Sequence, residues 1–75
     1  MGNCYLCEVE YSLKEERCYY YIQATGGLEA QNKFYKYYDE HLLSAQYGDV
    51  LFCNICKISE KEFKEAVDSN IDPIL

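Results

Sequence analysis

The segment "CYLCEVEYSL", residues 4–13, decides the fold because its side chains alternate in character. One set is apolar or aromatic and consists of Tyr5, Cys7, Val9, Tyr11 and Leu13. The other set is more polar and consists of Leu6, Glu8, Glu10 and Ser12. A period of two is that of a β-strand with one face against the core. We therefore predict a first strand here, with the apolar set pointing inward.

A second strand follows after a short link. The charged turn "KEER", residues 14–17, leads into "CYYYIQAT", residues 18–25, which is rich in residue types that favour strands. Two strands so close in sequence are typical of an antiparallel hairpin. The more apolar face consists of Cys18, Tyr20, Ile22 and Ala24, and we predict that it faces the core. Tyr19 and Tyr21 then stand on the opposite face.

The remainder of the chain predicts two helices and a third strand. Residues 25–48 read as a long helix with an irregular tail. Its inward stripe is Leu28, Gln31, Tyr35, Tyr38 and Leu42, and Phe34 and His41 widen this stripe on one side. The third strand runs from about Val50 to Ile58. Its two faces are predicted as Leu51, Cys53 and Ile55 on one side, and Val50, Phe52, Asn54, Cys56 and Ile58 on the other. Ser59 and Glu62 form a capping box for a short second helix, and "IDPIL" is a tail that packs back.

These elements predict a single α+β domain over residues 1–75, in the order β-β-α-β-α. The helical crossover, which should be right-handed, lets the second and third strands run parallel with the width of one strand between them. The first strand fits that gap, antiparallel to both. We expect a three-stranded mixed sheet in the order 2-1-3, with the long helix packed on one face and a short C-terminal helix. The alternative order is 1-2-3.

The sheet face away from the long helix is the predicted partner-binding surface. It carries an apolar and aromatic patch fringed by carboxylates, a composition that favours an interface with a protein partner or a second copy. The predicted residues are Leu6, Glu8, Glu10, Tyr19, Tyr21 and Phe52. The edge of the second or third strand offers another route to such pairing. An alternative is that Tyr19 and Tyr21 lie flat over their own strand.

Two C-x-x-C pairs raise the question of zinc, with Cys4, Cys7, Cys53 and Cys56 as its ligands. Residues 8–52 separate the pairs, which is far longer than the usual spacing. Both pairs also lie in strand patterns, where residues three apart point to opposite faces. Cys7 should then face Cys53 on one side of the sheet, and Cys4 should face Cys56 on the other. We expect no cofactor and thiols that pack as small apolar groups; a zinc-stabilised module is an alternative.

The charge balance bears on the partner. The chain has 13 acidic and 7 basic residues, a net charge of -6. Direct nucleic-acid binding would require a basic stripe, and the lysines and arginines are instead scattered among acids. The excess acid favours a basic partner surface. A sharper alternative is an acidic inhibitor that mimics nucleic acid, a kind of protein often encoded by phages and mobile elements.

Nothing in the sequence spells out a reaction or an export route. His41 is the only histidine and has no nearby nucleophile in the pattern, and "TGGLEA" lacks the lysine of a phosphate-binding loop. No segment resembles a signal peptide or approaches the length of a membrane span. We therefore predict a cytoplasmic, non-catalytic protein-binding module, an adaptor or inhibitor, whose partner is another protein or a second copy in a homodimer.

Overall fold

The computed structural model describes residues 2–68 and 72–74 of this chain. Its elements are β1 (Asn3–Tyr11), β2 (Cys18–Ala24), α1 (Gly27–Glu40), α2 (Leu43–Tyr47), β3 (Val50–Ile58), α3 (Glu60–Asp68) and β4 (Asp72–Ile74). The sheet has four strands in the order β3-β1-β2-β4. β1 is antiparallel to both of its neighbours, which confirms the α+β class and the predicted order 2-1-3. None of the helices among the described residues has the length and apolar character needed to cross a bilayer.

The fourth strand was not predicted. β4 pairs in parallel with β2, so the sheet extends one strand beyond the predicted edge. Pro73 lies opposite Tyr21 in this pairing, and a proline is tolerated there because it occupies an edge strand. The edge of β2, which was one predicted place for a partner, is therefore occupied along Tyr20–Ile22. Residues 71 and 75 of the predicted tail lie outside the described residues.

The core lies between the sheet and α1, on the face that the alternation predicts. The buried strand residues are Tyr5, Cys7, Val9 and Tyr11 from β1, and Tyr20, Ile22 and Ala24 from β2. The hydroxyls of Tyr11 and Tyr20 share a buried hydrogen bond at 2.9 Å. Because each hydroxyl is the hydrogen-bonding partner of the other, both tyrosines are buried without an unpaired hydroxyl oxygen. Leu13 was predicted on this face, but it lies past the end of β1 and is exposed.

Most of the predicted inward stripe of α1 is wrong: of its five residues only Tyr38 packs against the core, while Phe34, predicted at its margin, is buried. The buried residues of this helix are Ala30 and Phe34, whereas Leu28 and Leu42 are exposed. Ala30 lets the helix backbone come close to the strands, and Phe34 fills the space beside Tyr20 with ring centroids 5.8 Å apart. α1 also ends at Glu40, and Leu42 takes a left-handed backbone conformation with φ of 51°. The chain therefore turns before Leu42 can join the stripe.

A β-bulge corrects the predicted faces of β3. Glu10 pairs with Phe52 and Tyr11 pairs with Val50, so Leu51 is the extra residue on the outer strand. The bulge reverses the alternation at this point. Val50 consequently packs against the core cluster, on the face opposite to its prediction, and Leu51 is exposed.

Candidate functional site

The sheet face away from α1 has two halves, and α3 covers one of them. The ring of Tyr21 meets the ring of Phe63 edge-on, with centroids 4.8 Å apart. Cys4 and Ala66 are buried in the same half. We call these four residues (Cys4, Tyr21, Phe63 and Ala66) the covered half. The expectation that Tyr21 stands exposed for a partner is therefore wrong.

The position of α3 follows from its first turn. The Glu62 backbone N–H donates to Ser59 Oγ at 3.1 Å, so Ser59 caps the helix as predicted. α3 starts two residues after the end of β3 and must fold back at once. Phe63 lies on the first turn that follows the cap, and this places its ring over β2. The covered half is thus created by a short connection and one aromatic residue.

The other half of this face is not covered by α3. It is formed by Glu8 and Glu10 of β1, Arg17 just before β2, Tyr19 of β2 and Phe52 of β3, and we call these residues the exposed half. The register places Glu8 opposite Tyr19 and Glu10 opposite Phe52. Tyr19 is 43% exposed and Phe52 is 41% exposed. Two aromatic rings thus flank the two carboxylates that this end of β1 carries on the same face.

Arg17 organises the exposed half. One guanidinium nitrogen, Nη1, donates to Glu8 Oε2 at 2.9 Å, and Nη2 lies 3.6 Å from Glu10 Oε2. The guanidinium also lies over the Phe52 ring, 4.9 Å from its centroid, in a cation–π contact. The Tyr19 hydroxyl donates to Glu8 Oε2 at 3.2 Å. The side chains of the exposed half are therefore held by one another rather than left to move independently.

These contacts set the protonation of the exposed half. The hydrogen bond from Arg17 lowers the pKa of the Glu8 carboxyl below its ordinary value, since it favours the charged form. The same contact raises the pKa of Arg17. Both shifts favour the charged forms of Glu8 and Arg17.

The six predicted partner-binding residues divide among three positions. Glu8, Glu10, Tyr19 and Phe52 come together in the exposed half. Leu6 is partly buried at its border, between Tyr21 and Cys56 in the register, and Tyr21 belongs to the covered half. Arg17 was not predicted as a site residue, although the alternation of β2, extended back by two residues from Tyr19, places it on this face.

The cysteines lie on two faces of the sheet, as the alternation predicts. Cys7 and Cys53 are on the α1 side with sulfur atoms 3.8 Å apart. Cys4 and Cys56 are on the other side, but the expectation that they face each other is wrong, because the register places Cys4 opposite Ile58 and Cys56 opposite Leu6. Burial raises the pKa of the Cys7 and Cys53 thiols, and each sulfur affects the other. In residues 2–68 and 72–74, no group of three or more potential ligands is placed to hold a metal ion.

A groove of about 880 Å³ lies at the opposite end of this face. Its lining includes Cys4, Ala24 and Phe63, with charged residues of α1 and α3 around them. On the α1 side, Glu29 accepts a hydrogen bond from Thr25 Oγ1 at 2.7 Å, which lowers the pKa of its carboxyl. Lys33 Nζ donates to the Gln23 carbonyl at 2.6 Å. These charges already have partners within the chain, so the groove presents fewer unsatisfied groups than its composition suggests.

His41 also has an internal contact. Its ring lies against Tyr37 with centroids 4.2 Å apart, at the end of α1. This position is distant in the fold from the groove at the start of the same helix.

No protein-family model, curated protein or solved structure matches this chain, so its candidate site is defined by geometry alone.

Proposed function

We propose that this protein is a small, acidic, non-catalytic protein-binding module that engages its partner through the exposed half. The observation that carries the proposal is the exposure of Tyr19 and Phe52 on a sheet face beside Glu8 and Glu10. Tyrosine, phenylalanine and arginine are the residue types enriched at protein interfaces. Such a surface suits an adaptor or an inhibitor.

The order of the exposed half supports this role. Arg17 is held by a carboxylate on one side and by the Phe52 ring on the other. Immobilising a flexible side chain on binding costs roughly 0.5–1.5 kcal/mol, and a side chain that is already held avoids much of that loss. A preorganised patch can therefore bind tightly for its small area.

The chemistry of the partner follows from charge. The chain has a net charge of -6, and the exposed half has more carboxylates than basic groups. We infer a partner surface with lysine or arginine around an apolar side chain that contacts Tyr19 and Phe52. Long-range attraction would accelerate association, and added salt would slow it.

A selection from a random peptide display library tests this function. We expect the selected peptides to be net basic and to contain an aromatic or aliphatic residue. The double variant Tyr19→Ala/Phe52→Ala should weaken their binding by at least about tenfold, the size of a single hot-spot loss. The matched control is Leu28→Ala/Tyr35→Ala, which removes two exposed apolar side chains from α1. Equal binding by both double variants would contradict the proposal.

A narrower candidate is an acidic inhibitor that occupies a nucleic-acid-binding site. The exposed acids of α3, which include Glu60 and Glu62, are on the same side of the sheet as Glu8 and Glu10. Their spread along one side is the observation that favours it. A basic DNA-binding protein should then bind this chain, and duplex DNA should displace it. If the DNA-binding protein stays bound to this chain at saturating duplex DNA, the inhibitor role is excluded and only the general protein-binding role remains.

We also propose a cytoplasmic location for the protein. All five cysteines are free thiols, which suits a reducing compartment. Alkylation of the protein immediately on cell lysis, followed by mass spectrometry, tests this placement. Five alkylated cysteines are expected, and a disulfide-linked pair would contradict it.

A further inference from the structure

The outer edge of β3 is an unpaired strand edge within the described part of the chain. The sheet order puts β3 at one end, while β4 occupies the other end beyond β2. β3 is nine residues long and Lys57 is its only charged residue. Proteins usually protect such edges with charges, proline, bulges or short strands. Here the bulge protects only one end, which leaves the regular stretch 52–58 open to pairing.

We propose that this edge binds the same edge of a second copy, so that two four-stranded sheets join into one continuous sheet. The inference goes beyond the proposed function, because the outer edge of β3 is a second contact surface beside the exposed half. Antiparallel pairing about a two-fold axis is the geometry that satisfies the outward N–H and C=O groups of both strands at once.

The register follows from symmetry and from the bulge. In a continuous antiparallel sheet, directly opposite residues lie on the same face, so the two-fold axis must relate residues of equal parity. The middle residue of the regular stretch 52–58 is Ile55, and we place the axis there. Ile55 then pairs with Ile55 of the second copy. The remaining pairs are Phe52 with Ile58, Cys53 with Lys57, and Asn54 with Cys56.

This pairing is self-complementary, which favours a second copy over an unrelated strand. No like charges are directly opposite, because Lys57 meets Cys53. Apolar residues meet on both faces, at Ile55 on the α1 side and at Phe52 on the other. The net charge of the whole chain is -6, and Lys57 is the only charged residue of β3, so the rest of the chain is more negative still. Two copies therefore repel each other more strongly at their other surfaces than at this edge.

The dimer would also unite the two binding surfaces. Both exposed halves would lie on the same side of the joined sheet, because the axis is perpendicular to it. Phe52 would form the inner rim of each, and Tyr19, on β2, would lie farther from the axis. A partner with two similar sites would then gain from binding both.

Sedimentation equilibrium across a concentration series provides the first test. We expect a dimer whose dissociation constant lies below about 1 mM, within the range of weak but specific complexes. The double variant Asn54→Lys/Cys56→Lys places like charges around the axis and should weaken association by at least about tenfold. The control Gln31→Lys/Asn32→Lys makes the same change in net charge on exposed positions of α1 and should leave association unchanged. A monomer at every concentration, or equal association of both variants, would overturn the inference.

Amide hydrogen exchange tests the edge itself on the unmodified protein, whether or not the variants fold. Alternate β3 amides point away from β1, and these should become protected as concentration rises. A dimer without that protection would place the contact elsewhere and overturn the inference. Tyr19→Ala separates the two proposals, since it should weaken peptide binding and leave the dimer mass unchanged. Failure of the dimer alone would leave the binding role of the exposed half standing.

Discussion

Tyr19 and Tyr21 occupy the same face of the same strand, two residues apart, and yet they belong to different environments. Tyr21 is buried beneath Phe63 of α3, while Tyr19 is 43% exposed and hydrogen-bonded to Glu8. The strand geometry is the same for both residues. The difference is made by α3, which crosses only one half of the sheet.

The comparison shows that alternation along a strand assigns a side chain to a face but does not say whether that face is covered. Coverage depends on where the next helix starts and which side chain it places on the sheet. Here Ser59 starts α3 and Phe63 reaches Tyr21. The covered half contributes stability, and the exposed half stays open to solvent.

The largest expected effect comes from truncating the two tyrosines in turn. Tyr21→Ala should lower the free energy of unfolding by about 3 kcal/mol, because it leaves a cavity beneath Phe63. Tyr19→Ala should lower it by less than about 1 kcal/mol, since its ring is half exposed. Urea denaturation of both variants measures the difference. Equal losses would mean that α3 does not divide this face.

A smaller effect is expected from alkaline pH, which acts on the α1 side of the sheet. Burial raises the pKa of Tyr11 from its ordinary 10.0 to about 12, and burial raises the pKa of the Cys7 thiol above its ordinary 9.0. A group whose pKa is higher in the folded than in the unfolded state stabilises the fold fully when the pH lies below its unfolded-state pKa. This stabilisation is lost as the pH rises through the folded-state pKa. The free energy of unfolding should therefore fall between about pH 9 and 12, by roughly 2 kcal/mol from Tyr11.

The control for this pH effect is Tyr11→Phe. The slope of the free energy of unfolding above pH 10 should become shallower in this variant, because one titrating group is removed. Tyr19→Phe, in the exposed half, should leave the slope unchanged. Equal slopes in all three proteins would contradict the assignment of Tyr11 to the alkaline transition.

Thiol labelling should sharpen the boundary between the two halves. Cys56 is exposed, whereas Cys4 is buried in the covered half and Cys7 is buried beneath α1. Phe63→Ala should speed alkylation of Cys4 several-fold by loosening α3, and should leave the rate for Cys7 nearly unchanged. Mass spectrometry of peptides sampled over time measures each rate. Acceleration of both thiols together would indicate general unfolding instead.

The smallest expected effect on stability comes from Arg17→Gln. This change removes an exposed ion pair, and such pairs contribute little to stability. The pKa of Glu8 should rise toward its ordinary 4.5, since the hydrogen bond that lowers it is lost. Carbon-detected NMR titration of the Glu8 carboxyl gives this value. An unchanged pKa would show that Arg17 does not hold Glu8 in solution.

Sequence reasoning identified those parts of the fold that depend on local pattern. The alternation of residues 4–13 predicted the buried side of β1, and the crossover rule predicted β1 between β2 and β3. The same alternation separated Cys7 and Cys53 from Cys4 and Cys56. For the exposed half, it placed Glu8, Glu10, Tyr19 and Phe52 together on one face.

The features that the sequence did not predict depend on contacts between distant segments. The bulge at Leu51 needs the register with Glu10 and Tyr11, and no local signal such as glycine marks it. The inward side of α1 is chosen by the close approach of Ala30, because several aromatic residues around the helix are equally apolar. The burial of Tyr21 depends on Phe63, which follows it by more than half of the chain.

A backbone amide NMR footprint of a selected basic peptide tests the role of the exposed half most directly. Our account predicts that the largest chemical-shift changes occur at Glu8, Arg17, Tyr19 and Phe52, and that they shrink as salt is added. The largest changes at Ala24, Phe63 and Lys64 would instead place binding in the groove beside α3 and would contradict it.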